Sequence, residues 1–168
     1  MSRRARIRKA YRPKEIHLNA VQRAIEGRAL LPREQVASIK AVLSSALVAF
    51  GRGESCADHW LSMADALNVA EGLTDVGICS DDDSIDRITS GQQALANVRQ
   101  RHSVRGSWTL YPTERQALDD ALWLHGVQLD HCCFHEYERA VDRTRERVRQ
   151  ARAGNAPRGA IVIEGAIA

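Results

Sequence analysis

TERQALDDALWLHGVQLDHCCFHEYERAVDRTRERVRQA, from Thr113 to Ala151, is the longest helical pattern in the chain. Thr113-Glu114-Arg115-Gln116 has the form of a capping box ahead of it. Leu118, Ala121, Leu122, His125, Leu129, Cys132, Cys133, Tyr137, Ala140, Val141 and Val148 then recur with a period near 3.6, which lines one face of a helix. Taken as one helix the stretch is about 60 Å long, and Gly126 is where it would kink or split. From Arg143 to Arg152 nearly every face is charged, so these turns are expected to project into solvent or lie on a partner. An apolar stripe of this length must be covered by other helices or by a second copy. The expectation is an all-α helical bundle that forms a homodimer.

Working outward, four shorter patterns supply the covering helices. One is expected over 15–26, with Ile16, Val21 and Ile25 near one face and Gly27 as its stop. A second runs over 32–50, opened by Pro32 and striped by Val36, Ile39, Leu43, Ala46, Leu47 and Phe50. A third runs over 55–75, with Trp60, Leu61, Ala64, Leu67, Ala70 and Leu73 in its stripe. The fourth, over 84–102, places Ile85, Ile88, Leu95 and Val98 on one face, and Asp81-Asp82-Asp83-Ser84 can cap it. Gly91 inside it is unfavourable by about 1 kcal/mol against Ala. The organisation expected is a flexible basic arm at 1–13, one domain of about five helices with a long C-terminal helix at 14–152, and a tail at 153–168. Ala153 to Pro157 breaks the last helix, and Ala160 to Ile163 is strand-like.

The composition agrees with this class. Of 168 residues 44% are hydrophobic and 5% aromatic, enough for a core and poor in the residues a β sandwich favours. The basic opening is not followed by an apolar segment, and no apolar run is long enough to span a bilayer. A cytoplasmic location without a membrane contact is expected. The four cysteines, Cys56, Cys79, Cys132 and Cys133, are then reduced.

Charge is sorted into blocks. Residues 1–14 hold seven cations and no acid, Gly51 to Asp86 holds nine acids against Arg52, and Arg139 to Arg158 holds seven arginines against Asp142 and Glu146. The net charge of +3 hides this sorting, which concerns partners more than fold. Arg3, Arg4, Arg6, Arg8, Lys9 and Arg12 can neutralise phosphates of DNA or RNA, with Tyr11 available to stack on a base. The alternative for this arm is a solubilising tail. Asp58, Asp65, Glu71, Asp81, Asp82 and Asp83 form an acidic surface able to engage a cationic groove on a partner or the basic end of a second copy. They can equally face water. The three blocks read as three separate surfaces.

His125, His131, Cys132, Cys133, His135 and Glu136 form the densest set of potential ligands. In a continuous helix His131 and His135 share a face, as in helical zinc sites, and Cys56, His59 or Cys79 would have to complete the shell. The three residues from His131 to Cys133 point about 100° apart in such a helix, which favours cysteines in the core and histidines along its edge or an interface. Asp119-Asp120 and Asp81 to Asp83 come without a phosphate-binding glycine loop. The expectation is a non-enzymatic protein with no metal and no cofactor.

Three stretches bear a resemblance. Lys9-Ala-Tyr-Arg-Pro-Lys14 with the following Ile16-His17-Leu18, Trp60 to Glu71, and Gly126-Val-Gln-Leu-Asp-His131 resemble small helical accessory proteins carried by phages and prophages of proteobacteria. The likeness extends from Lys9 to Gly165. It implies a protein that acts by binding, as an inhibitor of host defence of the anti-CRISPR kind or as a regulator. The function expected first is a binding protein that blocks a host nucleic-acid-targeting complex. The second is a nucleic-acid-binding accessory protein that uses the basic arm.

Overall fold

A computed structural model describes residues 27–154. The arm at 1–13, the helix expected over 15–26 and the tail beyond 154 lie outside the described residues. Within them the chain is an all-α bundle of five helices: α1 (Arg33–Arg52), α2 (Ala57–Asp75), α3 (Asp82–Arg105), α4 (Pro112–His131) and α5 (Phe134–Arg152).

Local chemistry sets most of the boundaries. Pro32 precedes α1, and Gly53 ends it in the left-handed region at φ 73°. Asp81 caps α3: its Oδ1 accepts from the Ser84 backbone N–H at 3.0 Å and its Oδ2 from the Ser84 hydroxyl at 2.7 Å. These bonds hold the Asp81 carboxyl below its usual range. The cap of α4 sits two residues before the one read from the sequence. Tyr111 is the N-cap, Pro112 opens the helix, and Glu114 Oε2 accepts from the Tyr111 N–H at 2.9 Å.

The long C-terminal helix is two helices. Gly126 lies inside α4 without breaking it, and the break falls at Cys132 and Cys133, whose backbones are extended. The cause is a tertiary contact. Residues 27–31 run antiparallel to this junction, with Leu30 bridged to Cys133. The Phe134 and His135 N–H groups donate to the carbonyls of Ala29 and Gly27, each at 3.0 Å. A helix N-terminus leaves its first N–H groups without partners, and here a neighbouring segment satisfies them. Glu136 completes the start by accepting from the Cys133 N–H at 2.7 Å.

Helix α2 lies at the centre and touches each of the other four. Its Met63, Leu67 and Leu73 are fully buried, together with Leu95 and Val98 of α3 and Leu118 and Leu129 of α4. Burial of each such side chain contributes about 2 kcal/mol. Gly91, unfavourable by propensity, is required by packing: a Cβ there would stand 2.6 Å from Ala121 Cβ. Gly72 plays the same part between α2 and α5, where a Cβ would meet the Ala140 carbonyl oxygen at 2.7 Å.

The polar interior is closed by bonds between helices. Gln128, fully buried on α4, donates to the carbonyls of Ala70 and Ile78 at 3.1 and 3.2 Å. Its Oε1 lies 3.4 Å from His125 Nδ1, so Nδ1 carries the ring proton in this arrangement. Burial pushes His125 down to about 4, and the ring is neutral at pH 7.

Candidate functional site

The six acids expected to form one surface serve different ends. Asp58 and Asp82 are exposed in the first turns of α2 and α3. Asp81 is the α3 cap, and Asp83 pairs with Arg87 at 2.8 Å one turn on. Asp65 is half-buried, with Oδ1 inaccessible and without a hydrogen-bond partner among the described residues, and desolvation raises its carboxyl above the usual range. Glu71 is tied up internally: its Oε2 accepts from Gln92 at 3.0 Å and from Arg147 Nη1 at 2.9 Å.

Acidic and basic blocks therefore meet. Arg147 on α5 pairs with both Glu71 and Asp75 on α2, and Arg143 Nη1 donates to the Asp75 carbonyl at 2.6 Å. Ala140, Thr144 and Val148 are buried along the same helix. The turns from Arg143 onward were expected to project into solvent or lie on a partner, but they pack on α2 of their own chain. The acidic and basic blocks thus share one intramolecular contact, made by Glu71 and Asp75 with Arg143 and Arg147. Arg149 and Arg145 stay near the surface and pair within α5 with Glu146 and Asp142.

The histidine and cysteine set does not converge. The helix ends between His131 and His135, so their four-residue spacing does not place them on one helical face. His131 Nδ1 bonds the Val127 carbonyl at 2.8 Å. Cys132 is buried and its thiol is pushed up to about 11, mainly by desolvation, whereas Cys133 is half-buried. His125 is inside the core and not along its edge. Cys56 Sγ lies 3.4 Å from His59 Nδ1 at the start of α2, while Cys79 follows its far end; a helix of that length spans about 28 Å. Among the described residues no group of three or more His, Cys, Asp or Glu is placed to hold a metal ion. None of the described helices is long and apolar enough to cross a membrane.

A groove runs between α1 and α4. A hollow of about 310 Å³ is lined by Leu43, Leu47, Leu122, Trp123 and Val127. A second hollow, nearer Leu30 and Leu31, shares Lys40, Leu129 and Asp130 with the first. Lys40 Nζ reaches Asp130 at 2.6 Å between them. Lys40 passes over Gly126, where a Cβ would lie 3.2 Å from the flexible Lys40 Cε. Trp123 stands at the rim, 65% exposed. A bare indole beside an apolar groove is the kind of anchor that dominates protein contacts. The sequence holds one signal for it: Trp123 falls between Leu122 and Leu124, a run of apolar residues too wide for the buried stripe alone.

No protein-family model, curated protein or solved structure matches this chain.

Proposed function

We propose that this is a non-enzymatic binding protein that blocks a host nucleic-acid-targeting defence complex, in the manner of phage-encoded anti-CRISPR proteins. The observation that supports binding is Trp123, exposed beside the α1–α4 groove. Large aromatic side chains next to an apolar cleft contribute disproportionately at protein interfaces. The resemblance of Lys9 to Lys14, Trp60 to Glu71 and Gly126 to His131 to phage accessory proteins supports the class of target. The contact centres on the groove, since Glu71, Asp81 and Asp83 already have partners within the chain.

The test is phage plating on hosts that carry a defined RNA-guided defence system, with and without the protein expressed. Protection of the targeted phage is expected, together with co-purification of the effector complex. Trp123→Ala is expected to lose at least tenfold in affinity for that complex, with the helical circular dichroism unchanged. Plating unaffected across such systems rejects the target. Protection that survives Trp123→Ala rejects the groove as the contact.

The second reading, a nucleic-acid-binding accessory protein, is favoured by the seven cations without an acid in residues 1–14. It requires binding to DNA or RNA that falls steeply with salt and disappears when residues 1–13 are deleted.

A further inference from the structure

We infer that the end of the bundle formed by the last turns of α3 and the loop from Gly106 to Tyr111 binds single-stranded nucleic acid. This site shares no residue with the Trp123 groove or with residues 1–13.

The last two turns of α3 carry Arg99, Arg101, His102 and Arg105. Arg101 is committed to the fold: it pairs with Glu114, donates through Nε and Nη2 to the Thr109 carbonyl at 3.2 and 2.9 Å, and lies 4.1 Å from the Tyr111 ring centroid. Arg99 and Arg105 differ. Both are exposed, and neither forms an ion pair with a carboxylate among the described residues. Basic groups complement the carbonyl end of a helix, which accounts for charge at this place.

Trp60 is part of the buried core and Trp108 packs against it, which brings two indole rings up to that charge. Trp108, half-buried in the loop, stacks on His102 with centroids 3.8 Å apart and planes 15° from parallel. The Arg99 guanidinium lies 5.5 Å from the Trp60 centroid and 5.8 Å from that of Trp108. Trp60 is anchored beneath, its indole N–H donating to the Leu95 carbonyl at 2.9 Å. Trp60 itself is buried in the core, so the rings that reach the surface are the stacked, half-buried Trp108 and His102, beside two cations without carboxylate partners among the described residues.

This is the pairing of groups that an unpaired strand requires. A base offers a π face to an aromatic ring, and a phosphate offers charge to a guanidinium. In a duplex the base faces are hidden, so stacking selects the single strand. Ring stacking does not read base identity, and little sequence preference is expected. DNA and RNA share this chemistry.

Fluorescence anisotropy of the full chain with labelled oligo-dT and oligo-rU tests the inference, and the ratio of the two affinities separates DNA from RNA. Binding to at least one is expected at low salt. Trp108→Ala should weaken it about tenfold and Trp108→Phe should restore most of it. The double variant Arg99→Ala, Arg105→Ala should reduce the slope of log affinity against log salt by about 2. Arg105 is exposed, so Arg105→Ala alone should leave the fold intact and reduce the slope by about 1. No binding to either oligonucleotide overturns the inference. So does affinity that ignores Trp108→Ala and both arginine changes, which would assign binding to the arm. Displacement of the oligonucleotide by polyglutamate at equal charge concentration would also overturn it, since charge alone would then suffice.

Discussion

The α3–α4 contact and the α2–α5 contact both close on a glycine, and they are built in opposite ways. Around Gly91 the surfaces are apolar, with Ala94, Leu95 and Val98 facing Leu118 and Ala121, and the close approach is limited by the Cβ of Ala121. Around Gly72 the limiting atom is the Ala140 carbonyl oxygen. There Thr144 Oγ1 donates to the carbonyls of Asn68 and Ala140, both at 2.9 Å, and Arg147 reaches Glu71 and Asp75. Hydrophobic periodicity reports the first kind of contact. In the second it reports Ala140 and Val148, but not the carboxylates, far away in sequence, that hold an arginine-rich helix.

The largest effect expected from this contrast concerns acid. His125 is buried beside Gln128, and desolvation holds its pKa near 4, against about 6.5 when unfolded. The unfolded chain therefore takes up the proton first as pH falls. Stability should drop between about pH 6.5 and 4, by up to about 3 kcal/mol, and this loss should level off below pH 4. Urea unfolding across that range, compared with His125→Gln, measures it. A slope unchanged in the variant would assign the acid response elsewhere.

The two glycines come next. Each Gly→Ala change should cost about 2 kcal/mol by overpacking, although helix propensity alone favours Ala by about 1 kcal/mol. The contacts separate on rescue. Ala121→Gly should restore much of the stability lost in Gly91→Ala, because the obstruction is a side chain. No truncation of a side chain should rescue Gly72→Ala, because a backbone carbonyl obstructs it. Equal rescue at both sites would break the comparison.

Arg147→Ala should destabilise by about 1–2 kcal/mol, since it leaves Glu71 and Asp75 without their shared cation. Thermal melts at low and high salt should converge for this variant more than for the native chain. The smallest expected effect is a gain. Gly126→Ala meets only the flexible end of Lys40 and should stabilise α4 by up to about 1 kcal/mol, read from the same melts.

Several features are legible in the sequence alone. Val36, Leu43, Ala46, Leu67, Leu73, Leu95, Val98 and Leu118 sit at helical spacing and are all buried. Gly53 and Asp81 mark boundaries because their conformations and hydrogen bonds are local. The break at Cys132 was not legible, because the partners of Phe134 and His135 lie more than a hundred residues earlier. Cys133 with Glu136 has capping-box spacing, but cysteine is not among the residues that usually mark an N-cap.

The candidate sites divide in the same manner. Charge sorting was visible along the chain, yet it could not say that Glu71 faces Arg147. Trp108 over His102 and Trp123 beside Leu43 and Leu47 are likewise products of helices meeting.

By itself the sequence determined the helical class, most of the core stripes and the Asp81 cap, since each depends on residues within one or two turns. The tertiary structure decided where the last helix divides, which charges neutralise one another and which tryptophans stay exposed. These depend on partners distant in the chain, where only packing brings donor to acceptor and ring to ring.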